Sequence, residues 1–139
     1  MLISTKGRYA LRVMAELALC YESCRYIPGK HLATSQDLSV KYLENIMTLL
    51  SKAGLIDAIH GRNGGFRLNR RPEEYSLYEI LQLTEKTLAP AGCIELNGSP
   101  DNSCSRSSQC KTLPVWVELN DLITDFLHYR TIADLVQHS

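Results

Sequence analysis

The chain has 139 residues, 45% of them hydrophobic, and a formal net charge of zero. That is enough apolar material for one domain with its own core, which excludes a disordered tail and a staple-dependent miniprotein. The zero hides a split: through Pro72 eleven Lys and Arg stand against five Asp and Glu, and from Glu73 onward four stand against ten. A polyanion is therefore expected to dock on the N-terminal half alone. No run approaches the roughly 18 apolar residues that a membrane span needs. Lys6, Arg8 and Arg12 interrupt any leader-like apolar stretch. We expect a cytoplasmic protein with no membrane partner. Five cysteines in that reducing compartment point to metal or redox use rather than a disulfide framework.

The pattern predicts a mostly α fold with a small β-hairpin wing. Ser4 or Thr5 can cap a first helix running to about Tyr21, with Tyr9, Val13, Leu17 and Cys20 at helical spacing. Short helical patterns follow over residues 30–36 and 39–53, joined through Gln36, Asp37 and Leu38. In the second, Ser39 is placed as N-cap and Gly54 as a left-handed C-cap. Leu43, Ile46, Met47 and Leu50 face inward, so Lys41, Tyr42, Glu44, Asn45 and Thr48 are expected outward. Two helices with a tight joint make either a helix-turn-helix or an αα-hairpin that serves only as core. Residues 56–59 and 66–68 then alternate apolar and polar, and His60-Gly61-Arg62-Asn63-Gly64-Gly65 suits a hairpin tip. A helix-turn-helix followed at once by a hairpin is the winged-helix order. Arg62 at the tip suits a narrow, electronegative minor groove.

Ser76 and Glu79 are spaced as a capping box for a helix with Leu77, Ile80, Leu81 and Leu88 on one face, ended by Pro90 and Gly92. A loop then carries Cys93, Cys104 and Cys110, with ten and then five residues between them. Asn97, Gly98, Ser99, Pro100, Asp101, Asn102 and Ser103 favour turns there. Pro114 falls in the first turn of a long helix. In it Val115, Leu119, Leu122, Phe126 and Tyr129 recur at four, three, four and three, with Trp116, Ile123 and Leu127 alongside. Two such strips suit burial against both the parent domain and a second copy; a thick intramolecular core is the alternative. Residues 131–136 suggest a short terminal helix. The expected organisation is 1–75 as a winged helix-turn-helix region, 76–91 as a linking helix, 92–111 as the cysteine loop and 112–139 as a dimerisation helix and terminal segment, all one compact unit. No nucleophile–base arrangement, phosphate-cradling loop or carboxylate pair emerges, so no enzyme and no catalytic residue is expected.

Four motifs occur in order across essentially the whole chain. They are Ser4-Thr5-Lys6-Gly7-Arg8-Tyr9-Ala10, then Tyr42-Leu43-Glu44, then Gly61-Arg62-Asn63-Gly64-Gly65-Phe66, and last the cysteines ahead of Leu113-Pro114-Val115-Trp116. With them the chain resembles the Rrf-type family of bacterial winged-helix regulators, the IscR, NsrR and CymR group. The resemblance implies a transcription regulator, acting as a repressor, whose homodimer is joined through the long helix and binds palindromic double-stranded promoter DNA. It implies an iron–sulfur cluster, two-iron or four-iron, on Cys93, Cys104 and Cys110, sensing redox state, nitric oxide or iron–sulfur status. Zinc is the rival occupant. A cluster-free, CymR-like regulator controlled by a partner protein or by thiol oxidation is the alternative function.

The chain departs from its relatives at the ligands. The first cysteine interval is longer than in the best-studied members of the family. Leu113 stands where those carry a histidine, and Arg8 stands where NsrR-like proteins carry a carboxylate. The fourth ligand is left open among Glu95, Asp101, Cys24 of the partner subunit and a small exogenous ligand. On DNA, Ser39, Lys41, Tyr42 and Asn45 are expected at the major groove, with Lys41 on phosphate or guanine, Asn45 on adenine and Glu44 accepting from a cytosine amino group. Lys6, Arg8 and Arg67 are expected on phosphates and Arg62 at the minor groove, with Asn63 and Gly64 of the tip also expected to bind DNA. The expected dimer seam is Val115, Trp116, Leu119, Leu122, Ile123, Phe126 and Tyr129.

Overall fold

Helix α1 (Thr5–Leu19) begins where Ser4 Oγ accepts the Gly7 N–H at 3.0 Å. The computed structural model describes residues 2–94, 100 and 104–137. Ala10, Val13, Met14 and Leu17 of α1 are fully buried, making this helix the beam on which the rest is hung. It ends at Leu19, short of Tyr21, because the chain tightens into a 3-10 turn at Tyr21–Ser23 and leaves through Cys24 in the left-handed region, φ 56°.

Helix α2 (Gly29–Ser35) packs on α3 (Val40–Lys52). Both expected caps of α3 are made: Ser39 Oγ accepts the Tyr42 N–H at 3.1 Å, and Gly54 takes φ 76° just beyond the end. Leu43, Ile46, Met47 and Leu50 are buried, so the opposite face is free for other use. Strands β1 (Ile56–Ile59) and β2 (Gly65–Leu68) pair antiparallel, Ile56 opposite Leu68 and Ile59 opposite Gly65. One contact beyond the expected hairpin braces it. Ile27 donates to the Phe66 carbonyl at 2.8 Å and accepts from the Phe66 N–H at 2.9 Å, which pins the strand to the α1–α2 connection. Any Cβ at Gly65 would collide with the Ile27 carbonyl, so glycine is required at that crossing.

Helix α4 (Leu77–Thr84) starts as expected, Ser76 Oγ accepting the Glu79 N–H at 3.1 Å. Only that half of the expected capping box is found, because the Glu79 carboxylate takes the Arg70 guanidinium at 2.8 and 3.3 Å instead. The helix also stops at Thr84, well before Pro90 and Gly92. Glu85 turns to extended backbone, and its carboxylate accepts from Ser4 Oγ at 2.6 Å and the Ser4 N–H at 2.5 Å. Leu88 packs on the core from outside the helix.

Helix α5 (Leu113–Tyr129) lies on α4 and buries Leu127, while α6 (Ile132–Gln137) returns to α1. Two backbone bonds tie the ends together: Leu77 N–H to the Arg130 carbonyl at 2.9 Å and Ile132 N–H to the Tyr75 carbonyl at 3.0 Å. Tyr75 is wholly buried behind the wing, its hydroxyl donating to the Leu55 carbonyl at 2.7 Å and accepting from the Asn69 and Arg70 amides. Burial pushes that phenol above its ordinary value, against the lowering effect of those amide donors and of Arg70. Among the described residues, no helix is long and apolar enough to cross a membrane.

Candidate nucleic-acid interface and cysteine loop

The face of α3 that the core leaves uncovered carries Val40, Lys41, Glu44, Asn45 and Thr48, all exposed. Among the described residues, Lys41, Glu44 and Asn45 make no side-chain hydrogen bond or ion pair. Tyr42 differs from the outward position expected of it. Its ring is half-buried and meets Tyr9 edge-on, centroids 6.0 Å apart at 86°. The Arg12 guanidinium lies 4.7 Å from the Tyr9 ring centre, and its Nε donates to Gln36 Oε1 at 2.8 Å. This chain of contacts locks α1 to the joint between α2 and α3 and so fixes the direction in which α3 presents its first turn. Lys6 is half-buried on α1, and Arg8 is exposed with one bond to Thr5 Oγ1 at 3.2 Å.

The wing tip projects Arg62 and Asn63 into solvent, and Arg62 has no partner among the described residues. A Cβ at Gly64 would collide with the Ile59 carbonyl, so this tight tip admits only glycine there. Arg67 is placed otherwise than Arg62. It donates to the Cys24 carbonyl at 3.0 Å, pairs with Asp57 at 3.6 Å and lies 4.4 Å from the Tyr26 ring centre. Those contacts commit it to the base of the wing.

Of the three loop cysteines, Cys93 and Cys110 are half-buried, Cys104 is exposed, and each is a free thiol. Cys110 Sγ lies 3.3 Å from Thr112 Oγ1, just ahead of α5. Hydrogen bonds from that hydroxyl and from the Thr112 and Leu113 amides, with a smaller contribution from Arg106, hold the thiol below its ordinary value. In chemistry the donor set suits an iron–sulfur group, because sulfur ligands bind iron as thiolates. Among the described residues, no three Cys, His, Asp or Glu side chains are gathered into one group able to hold a metal. The described loop thus provides the ligand types without assembling them. Glu95 and Asp101, two of the expected fourth ligands, lie outside the described residues, and Cys24 is exposed at the far end of α1.

On α5 the seam stands open in the single chain: Leu122 is 62%, Phe126 54% and Tyr129 82% exposed, with Val115 and Leu119 also at the surface. Trp116 and Ile123 are half-buried, and Ile123 packs on the core. An apolar groove of about 350 Å³ between Ile3, Leu81, Leu122, Ile123, Phe126 and Leu127 continues the seam.

Sequence patterning singled out the polar side chains of α3 and passed over Val40, its first helical residue and 42% exposed. The available signal was its place next to the Ser39 cap, since a residue there lies before the first inward position, Leu43. The bracing role of Arg12 and Tyr9 was also unforeseen, because their partners lie on other elements.

The chain matches the family model Rrf2, described as an iron-dependent transcriptional regulator, over residues 3–138. It is 31% identical over 136 residues to the HTH-type transcriptional regulator IscR of Vibrio cholerae, covering 98% of this chain and 75% of that one. Among solved structures it is similar to CymR, the global cysteine regulator of B. subtilis, with TM-score 0.80, 28% identity and coverage of 100% and 98%. It is similar also to T. potens IscR, with TM-score 0.75, 28% identity and coverage of 99% and 88%. Six α-helices among the described residues, an antiparallel wing and a match across nearly the whole length agree, and the chain belongs to the Rrf2 family of DNA-binding transcriptional regulators, which are not enzymes.

Proposed function

We propose that this protein is a homodimeric repressor that reads palindromic promoter DNA through α3 and the wing, and that an iron–sulfur cluster on Cys93, Cys104 and Cys110 controls the affinity. The observation that carries the reading is the uncommitted state of the reading groups. Lys41, Glu44 and Asn45 on α3 and Arg62 on the wing tip have no intramolecular partner among the described residues, whereas Arg12, Arg67 and Arg70 are all engaged. Charged and amide groups held outward and unpaired are available for base edges and phosphates. Ser39 and Tyr42 set the first turn of α3 against the groove, Asn63 and Gly64 shape the tip, and Lys6 and Arg8 add phosphate contacts from α1. Arg67 contributes by stiffening the wing. The seam of Val115, Trp116, Leu119, Leu122, Ile123, Phe126 and Tyr129 joins the two copies, so that two α3 helices meet two half-sites. The protein acts in the cytoplasm, where its promoter DNA lies.

When bound, the cluster supplies a centre that oxidants, nitric oxide or iron scarcity can alter. The chain's part is to offer three thiols on one loop between α4 and α5, with Cys110 held toward its thiolate by Thr112 and the first amides of α5. The family's description as iron-dependent supports this role. The likeness to CymR supports a second reading, a cluster-free regulator controlled by a partner protein or by thiol oxidation.

The DNA reading is tested with Arg62→Ala. Electrophoretic-mobility titrations on a selected duplex should show affinity reduced roughly 5- to 50-fold, with the dimer intact by sedimentation. Unchanged affinity would remove the wing from the reader.

A further inference from the structure

Val40 is among the few large apolar side chains left at the surface away from the α5 seam. It is neither in the buried core nor among the partly buried residues packed on it. The apolar positions that flank the Ser39 cap, before it and one turn into the helix, are Leu38, which packs on the core, and Leu43, which is buried in it. Val40 therefore serves neither the cap nor the packing. As a β-branched residue it also gains nothing from helix propensity. What distinguishes the position is its place, the first residue of α3, next to Lys41 and one turn before Glu44 on the uncovered face.

We infer that Val40 is a base-reading residue whose isopropyl group packs on the C5-methyl of a thymine in the major groove. The inference rests on the DNA reading above and extends it to the one wholly aliphatic side chain on the uncovered face of α3. The N-terminal residues of a recognition helix meet the base edges in the groove. There the only apolar feature on any base edge is the thymine methyl, which cytosine, guanine and adenine lack. Lys41, Glu44 and Asn45 address donors and acceptors; Val40 adds a contact to the thymine methyl, a feature that hydrogen bonding does not read. Covering one methyl group from water changes affinity by roughly three- to fivefold.

The experiment uses the full-length protein, a duplex selected by it from a random pool, and uracil placed for each thymine of the half-site in turn, a change that removes only the methyl. At one position uracil is expected to weaken wild-type binding roughly three- to fivefold. Val40→Ala should lose a similar factor on the thymine duplex and become indifferent to uracil at that position, while keeping the wild-type circular dichroism spectrum and melting temperature. Wild-type binding that is equal on every uracil duplex overturns the inference, and so does a Val40→Ala protein that still senses uracil at the same position. Failure of the pool to yield any preferred duplex is a different result: it defeats the DNA reading itself, and the assignment of Val40 with it.

Discussion

Glu85 shows how a single side chain holds the reading head. Its carboxylate closes the start of α1 by accepting from Ser4 Oγ and the Ser4 N–H, and Thr84 Oγ1 adds a third donor at 2.8 Å. Partial burial pushes the carboxyl up, but these hydrogen bonds outweigh it, and the group sits below its ordinary value. Gly7 is part of the same contact, since a Cβ there would come within 2.7 Å of Glu85 Oε2. A carboxyl lowered by folding contributes stability that is full above the unfolded value of about 4.3 and is lost as pH falls through the lower folded value. Glu85→Gln is therefore expected to cost about 1–2 kcal/mol at pH 7, discounted for its partial exposure. In urea titrations the gap between mutant and wild type should shrink as the pH is taken below about 4. A gap that stays constant down to pH 3 would show that the charge is not what matters. This contact spans 81 positions in the chain, so no local pattern announces it. The Ser39 cap acts within three residues and was legible for that reason.

At the scale of elements, α3 and the hairpin were readable because their determinants are local: an N-cap, a left-handed Gly54, inward residues at helical spacing and alternation across a short tip. Helix α4 was misjudged at its end because apolar spacing continues to Leu88, whereas the helix is broken by Glu85 being drawn back to Ser4. The half-formed capping box has the same origin, since Arg70 offers Glu79 a charged partner that the Ser76 amide cannot match. Ile27 joined the wing through a backbone bridge, which side-chain patterning does not report. The wing offers a test at this scale. Gly64→Ala must displace the Ile59 carbonyl, so the tip should reopen while the helices stay intact. We expect affinity for the selected duplex to fall about tenfold or more, with helical circular dichroism unchanged and a stability loss of about 1–3 kcal/mol. Wild-type affinity in that variant would mean that the shape of the tip is irrelevant to DNA.

For the whole molecule, the open α5 seam and the cysteine loop that precedes it decide the account. The seam was legible as a spacing of apolar residues, and its exposure in the single chain is what the dimer reading needs. Leu122→Glu places a charge on that strip and should convert the dimer to monomers in sedimentation equilibrium. Affinity for a palindromic duplex should drop with it, while affinity for a half-site is kept. The cysteines were legible as ligand types, but bringing them together depends on chain geometry that no spacing rule encodes, and the described loop does not do it unaided. A group that gathers them would order the connection between α4 and α5, and with it the setting of two paired heads. Couplings of this kind are typically about 1–3 kcal/mol, roughly 5–150-fold in affinity. The most direct measurement is made on protein isolated without oxygen: iron and acid-labile sulfide are counted, and promoter affinity is titrated before and after the iron is stripped by a chelator. A cluster that controls binding requires stoichiometric iron and sulfide, a visible absorption band, and an affinity that changes at least about fivefold on stripping. Colourless protein free of iron and sulfide, or one affinity for both forms, would contradict it.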